Sequence, residues 1–461
     1  MISQFSWSQN WYPISPLSYL DPSVPTPITI LGKKLVIWQT KNQQWVVMDD
    51  QCPHKLAQLS FGKIQADGTL MCRHHGWCFN EQGNCTKIPM LVEEEAIKTA
   101  CNSSRSQVTV YPTQVKQGLL WVWPDNQETA FEDCQLKEPA IIPECGLDVT
   151  ATDWHLSEVP VGYTVSLESS FDPSHAQFLH EGLAGFSPEK TIPITSFKTV
   201  SEISAEAGFT LKHSGYNIFN QDMEATRQFS PPCCNTTIYR YPNGNMMLAQ
   251  LYFIPTEPGR CRYIGKFITS MNFSQKNIIL DRLPKQLRTG FKHLSNYQLS
   301  DQDLTVMHAQ ETLQMTVEKP WHKSYFLPAS ADVGIITFRQ WLDRFAGGKP
   351  AWENAKAHPY QPLTEEQLYE RWHRHTKYCP SCRASVDFLG KLQQYSRYSM
   401  IIFSVFTLLL LVIPVSIKLS IVSTILAVIS VFVSLISDDF RYKFISGLPK
   451  QGLPVRKLYD N

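Results

Sequence analysis

The sequence predicts an α+β protein that ends in a transmembrane helical hairpin. Three observations carry this. Short β-patterned runs fill the first 125 residues, strand-like and helical runs mix between residues 151 and 345, and two charge-free 18-residue apolar runs stand near the end. At roughly 150 residues per domain, 461 residues allow two or three domains with a sizeable buried core.

In the β-patterned part, Ile28–Gln39 and Trp45–Met48 read as strands around a polar turn at Lys41–Gln44. Gly118–Trp123 is a further short strand, closed by Pro124-Asp125-Asn126, and the first domain boundary is placed there. Beyond it, Thr236–Tyr241 and Met246–Phe253 read as strands. Gln275–Tyr297, Asp301–Thr316 and the charged Glu365–Thr376 read as helices. The apolar runs are Ser399–Ser416 and Ser420–Ser437, each near the minimum length of a bilayer-spanning helix, with Lys418 between them. Lys391 and Arg397 precede the runs; Arg441, Lys443, Lys450, Arg456 and Lys457 follow. The positive-inside rule then puts both chain ends on the cytoplasmic-type face. A buried helical hairpin is the alternative reading of the same runs. The expected segments are 1–125, 126–370, 371–396, 397–440 and 441–461.

Composition narrows the function classes. Lys+Arg (42) balance Asp+Glu (41), which leaves no electrostatic reason for a nucleic-acid partner. Twelve cysteines over this length are too few for a disulfide-stapled secreted fold, and no apolar signal region precedes the first basic residue, Lys33. The cysteines are therefore expected as thiols, metal ligands or redox pairs in a reducing compartment. No GxGxxG or Walker-type loop is found.

Two Cys–His pairs stand out. Cys52-Pro-His54 is followed 17 residues later by Cys72-Arg-His-His75. Cys and His alternate within each pair, unlike the usual zinc-finger spacing, although a structural zinc site remains the alternative. The alternation suits a two-iron cluster with two thiolates on one iron and two imidazoles on the other, the Rieske arrangement. His74 duplicates a ligand type and is read as a loop residue; Cys78 and Cys85 are read as small hydrophobes.

A second string, Asp172-Pro-Ser-His175-Ala-Gln-Phe-Leu-His180, supplies two imidazoles about one and a half helical turns apart. If Pro173 opens a helix, Asp172 stands near its N-cap. Two His and one carboxylate make a mononuclear Fe(II) site with positions left open for oxygen. The missing carboxylate is expected from Asp303, with Asp301 as the fallback. A third string, Cys379-Pro-Ser-Cys382, is open to three readings: a redox pair, half a zinc site completed by His373 and His375, or ordinary thiols. Arg371, Arg374 and Lys377 around it favour a lowered thiol pKa. Adjacent Cys233 and Cys234 are read as packing residues.

These strings, in this order, resemble the Rieske non-haem iron oxygenase α-subunits and, within them, the pheophorbide a oxygenase group. The likeness is carried by Cys52–Ser60 (CPHKLAQLS), Cys72–Asn80 (CRHHGWCFN), Asp172–Gly182 (DPSHAQFLHEG), Arg371–Cys382 (RWHRHTKYCPSC) and the apolar hairpin. It runs from Trp11-Tyr12-Pro13 nearly to the end of the chain. The resemblance implies an antiparallel-β Rieske domain followed by an α+β, helix-grip-like catalytic domain. It implies Cys52, His54, Cys72 and His75 as [2Fe-2S] ligands, and His175, His180 and Asp303 as Fe(II) ligands. Asp172 would bridge the iron site to a cluster His of a neighbouring subunit in a homotrimer, and Cys379 and Cys382 would form a thioredoxin-addressable switch. Known members act on chlorophyll-type tetrapyrroles. Two departures are noted: Ser169 follows Glu168 where many relatives carry Asn, and His74 replaces an aromatic residue.

The expected function is that of a membrane-anchored oxygenase, placed by the resemblance in a plastid membrane such as the thylakoid. It would draw electrons from a separate ferredoxin or reductase and oxygenate a bulky hydrophobic substrate, a tetrapyrrole by resemblance. The competing readings are a non-catalytic membrane electron carrier or redox sensor, and a hydroxylase of another aromatic or lipid substrate.

Overall fold

Leu31 and Gly32 interrupt what reads as a single apolar strand. Both take positive φ, 51° and 81°, the left-handed pair that a two-residue hairpin needs. Thr26–Ile30 and Lys33–Gln39 therefore pair antiparallel, and Trp45–Asp49 follows Lys33–Gln39 in the same sheet, which Val110–Tyr111 closes. The expected continuous strand from Ile28 to Gln39 is corrected by that turn. A second four-stranded sheet runs Lys63–Ile64, Leu70–Met71, Cys78–Phe79 and Cys85–Lys87 in chain order. Trp38, Met48, Leu59, Leu70 and Phe79 form one buried cluster that joins the two sheets.

The structure is a computed structural model that describes residues 4–144, 149–183, 185–270, 282–317, 319–352, 362–412 and 417–447. It divides into two compact units, residues 1–273 with 306–361 and residues 274–305 with 362–461. In the first unit, beyond those two sheets, lies an eight-stranded antiparallel sheet. Its long strands are Phe209–His213, Glu224–Ser230, Cys234–Arg240, Met246–Glu257 and Arg260–Thr269, each hydrogen-bonded to the next in chain order. Two helices accompany this sheet, α1 (Tyr163–Ser169) and, further along the chain, Val333–Phe345. Phe171 after α1 and Phe338 stack at 5.8 Å, and Phe229 of the sheet meets Phe338 edge-on at 5.5 Å.

In chain order, the Val333–Phe345 helix is α4, and other helices include α2 (Ala176–Leu179), α3 (Lys285–Thr316), α5 (Pro380–Val412) and α6 (Ile417–Ser446). The two helical stretches expected at Gln275–Tyr297 and Asp301–Thr316 are one helix, α3. Residues 298–300 contain neither Gly nor Pro, so nothing stops the helix between them; the expected start at 275–281 lies outside the described residues. The charged stretch Glu365–Thr376 is not one helix. Thr364 caps Glu365–Tyr369 by accepting from the Gln367 N–H, the chain breaks at Glu370, and Trp372–Thr376 forms a π-helical turn.

Helices α5 and α6 are both long and apolar enough to cross a membrane. Ile413–Ser416 of the first apolar run, and Lys450, Arg456 and Lys457 after the second, lie outside the described residues. Ser423, Ser430 and Ser437 are buried at seven-residue spacing on α6, and the Ser423 hydroxyl donates to the Phe403 carbonyl of α5 at 2.9 Å. Leu408, Leu411, Phe432 and Leu435 are instead more than half exposed, the reverse of a buried core hairpin.

Candidate metal centres

Two loops beside the four-stranded sheets share one backbone design. The Cys52 N–H donates to the Ala57 carbonyl at 2.8 Å, and the Cys52 carbonyl accepts from the Leu56 N–H at 2.9 Å. Twenty residues on, the Cys72 N–H donates to the Trp77 carbonyl at 2.8 Å, and its carbonyl accepts from the Gly76 N–H at 2.9 Å. Leu56 and Gly76, the fifth residue of each loop, both turn left-handed, with φ 62° and 73°. At Gly76 a Cβ would come within 2.9 Å of the Pro89 ring, so only glycine fits both the φ and the approach. Asp50 closes the first loop by accepting from the Ser60 N–H and hydroxyl at 2.6 and 2.7 Å.

These turns bring like with like. Cys52 and Cys72 are buried and interact through their thiols. The His54 and His75 rings stand 4.5 Å apart, and Trp77 stacks on His54 at 4.8 Å with its plane tilted by only 4°. Burial, reinforced by the neighbouring Cys72, pushes the Cys52 thiol up to about 12, so a metal must displace its proton. Two thiols on one side and two imidazoles on the other match the donor chemistry of a cluster with unlike irons. His74 is exposed beside His75, whereas Cys78 and Cys85 are buried.

The second string follows α1. Ser170 is anchored to the sheet from both sides: its carbonyl accepts from Arg227 Nη1 and Asn235 Nδ2, both at 3.0 Å. Phe171 is fully buried, and Asp172 makes an Asx turn, accepting from the Ser174 N–H at 2.9 Å and its hydroxyl at 2.6 Å. That turn delays the helix expected from Pro173. Helix α2 starts only at Ala176, and His175, not Asp172, holds its N-cap position. Gln177 pins α2, its side-chain oxygen accepting from the Ser187 N–H at 3.1 Å and from Asn217 at 3.2 Å.

His175 and His180 face each other with ring centroids 5.5 Å apart, and His180 is buried. His175 Nδ1 lies 3.7 Å from Asp172 Oδ2. Burial opposes the Asp172 charge, but the neighbouring His175 imidazole and the Ser174 hydrogen bonds outweigh it and hold the carboxyl below its ordinary value. Glu168, one residue before Ser169, is buried against Arg339 and accepts from Gln310 of α3 at 3.0 Å. Burial raises its carboxyl pKa in spite of Arg339. A cleft of about 750 Å³ lined by Trp11, Trp45, Tyr111 and Phe131 shares no residue with either group.

In the second unit, Asp301 is buried and pairs with both Arg371 and Arg374, the latter at 3.2 Å. Asp303 lies two residues further along α3. Cys379 and Cys382 are buried free thiols. His375 stands with them, but His373 is exposed and its Nδ1 lies 3.0 Å from the Glu370 carboxylate. The fourth neighbour is His293 of α3, 82 residues before His375. No sequence spacing pointed to it, because nothing local links that stretch of α3 to the CPSC turn.

Comparison with known proteins places these features in context. Residues 10–112 match the Rieske [2Fe-2S] domain family and residues 229–321 the pheophorbide a oxygenase family. The chain is 31% identical over 412 residues to a chloroplastic pheophorbide a oxygenase of Oryza sativa subsp. japonica, covering 85% of this chain and 75% of that one. It is equally 31% identical to the chloroplastic flavonoid 8-hydroxylase 2 of Ocimum basilicum, covering 85% and 76%. In fold it is similar to dicamba monooxygenase solved with dicamba bound, with TM-score 0.54 and 17% identity over 74% of this chain and 98% of that one.

Proposed function

Because the chain belongs to the pheophorbide a oxygenase family of Rieske non-haem iron oxygenases, we propose that it oxygenates a chlorophyll-derived tetrapyrrole. In this reading Cys52, His54, Cys72 and His75 hold the [2Fe-2S] cluster, and His175, His180 and Asp303 hold the mononuclear iron. When bound, the two groups supply one-electron transfer and O2 activation. The observation that carries the reading is the repeated loop design, which presents a Cys pair and a His pair together, followed by the facing imidazoles of His175 and His180.

Helical periodicity favours Asp303 over the fallback Asp301. Asp301 is committed to two guanidinium groups. Asp303 lies seven residues before Gln310, about 700° along the helix and so within about 20° of the same face. Gln310 contacts Glu168 at the end of α1, from which the chain leads into Asp172 and His175. With Nδ1 turned to Asp172, His175 keeps Nε2 for a metal. Asp172 is then placed to orient that ring and, in a trimer, to reach a cluster His of the next subunit. Electrons come from a separate ferredoxin or reductase. Helices α5 and α6 anchor the chain in a plastid membrane, with both ends on the stromal face.

A second substrate reading rests on one observation: the basil flavonoid 8-hydroxylase is as similar to this chain as the rice enzyme is. Ferredoxin-driven O2 uptake with chlorophyllides, pheophorbides, bilins and flavones separates the two. Modification of a tetrapyrrole supports the proposal, and turnover of flavones alone replaces it. His175→Ala is expected to abolish turnover and leave the Rieske absorption intact; loss of that absorption would overturn the ligand assignment.

A further inference from the structure

The geometry of His293, His375, Cys379 and Cys382 points to a second kind of metal site, and we infer that these four side chains bind a structural zinc ion at the root of the apolar hairpin. Their donor atoms, one per residue, all lie within 4.8 Å of one another. Cys382 Sγ is 3.3 Å from His375 Nε2 and 3.5 Å from His293 Nδ1. Cys379 Sγ is 3.6 Å from His293 Nδ1, and the two imidazole nitrogens are 3.2 Å apart. In a tetrahedron with Zn–S of about 2.3 Å and Zn–N of about 2.0–2.1 Å, sulfur and nitrogen stand about 3.5 Å apart and two nitrogens about 3.3 Å apart. The observed edges are those of such a tetrahedron.

The local structure explains how four ligands from distant positions meet. Pro380 opens α5 with its fixed φ, leaving Cys379 just before the helix and Cys382 in its first turn. The Cys379 N–H donates to the His375 carbonyl at 3.1 Å, and the Cys379 carbonyl accepts from the Arg383 N–H at 3.0 Å. His375 lies in the π-helical turn Trp372–Thr376, a conformation that recurs at functional sites. The fourth ligand depends on Gly290, one turn before His293 on α3. A Cβ there would lie 2.1 Å from Ser385 Oγ and 2.8 Å from the Ser381 carbonyl, so glycine lets α3 approach the CPSC turn.

The chemistry of the donors selects the ion and its role. Two thiolates and two neutral imidazoles suit Zn2+, and two thiolates cancel its charge, which a buried site requires. Cys379, Cys382 and His375 are 2%, 0% and 0% exposed. Four protein ligands leave no position for water or substrate, so the site is structural. It ties the helix that carries Asp303 to the root of α5. The ion set is separate from the cluster and iron residues, so the inference survives or fails independently of the oxygenase reading.

The test uses the full-length chain in detergent, purified under reducing conditions with its iron and cluster in place. Elemental analysis is expected to find about one zinc per chain in addition to iron, and zinc-edge X-ray absorption should show two sulfur and two nitrogen neighbours. His293→Ala and Cys382→Ser should lose that zinc, while His293→Cys should retain it with a third sulfur. If His293→Ala also loses the Rieske absorption, His293→Cys decides between lost folding and lost ligation. Zinc-free wild type with an intact Rieske absorption overturns the inference. So does a Cys379–Cys382 disulfide that a thioredoxin-type dithiol reduces in protein that carries no zinc, which would make the pair a thiol switch instead.

Discussion

His213 sits inside the catalytic sheet with both ring nitrogens committed. Its Nε2 accepts from Arg227 Nε at 3.0 Å, while Nδ1 donates to the Ser214 carbonyl at 2.7 Å. Only the neutral ring with its proton on Nδ1 does both. Burial first and the Arg227 guanidinium second hold its pKa down at about 3, from 6.5 in the ordinary ring; the Phe197 and Tyr216 rings complete its surroundings. Between those values the folded chain binds fewer protons than the unfolded one, so stability falls as pH drops through that window. His213→Gln keeps an acceptor for Arg227 and removes the titration. Its unfolding midpoint, followed by tryptophan fluorescence, is expected to fall less than that of the wild type between about pH 7 and about pH 4. Equal falls would remove His213 from the acid response. The same Arg227 holds the Ser170 carbonyl ahead of Asp172, so Arg227→Met should cost about 2–3 kcal/mol of stability and lower iron occupancy, measured by denaturant unfolding and elemental analysis.

Helix α3 separates two acidic residues that look interchangeable in sequence. Asp301 neutralises Arg371 and Arg374 in a buried ion-pair group, so Asp301→Asn should destabilise the chain by about 3–5 kcal/mol and leave the iron ligands untouched. Asp303→Asn is expected to do the opposite: the mononuclear iron is lost, while the Rieske absorption and the unfolding midpoint persist. Iron loss from Asp301→Asn in folded protein would exchange the two roles. The choice was invisible in the string DQD because it depends on arginines 70 and 73 residues away. The length of α3 was hidden for a different reason. Gln298, Leu299 and Ser300 fall between the two expected runs, yet they hold no helix-breaking residue.

Across the molecule, the apolar surface is concentrated on α5 and α6, and the rest of the described chain carries ordinary buried cores. The full-length chain is therefore expected to float with lipid vesicles, and removal of residues 399–437 should release it; a truncated chain that still floats would place the membrane contact elsewhere. Thiol-reactive labelling of Lys418→Cys should occur from the side opposite the tail, which checks the proposed orientation. The paired Cys–His loops, the Asp172–His180 string and the apolar runs were legible from sequence because each packs its chemistry into a few consecutive residues. The β–helix order of the catalytic part was legible from its periodicity. Three-dimensional packing alone brought His293 to the CPSC turn instead of His373, committed Asp301 to two arginines and moved the start of α2 past Asp172. Those outcomes depend on side chains many residues apart and on turns whose geometry competes with helix propensity, and a linear pattern records neither.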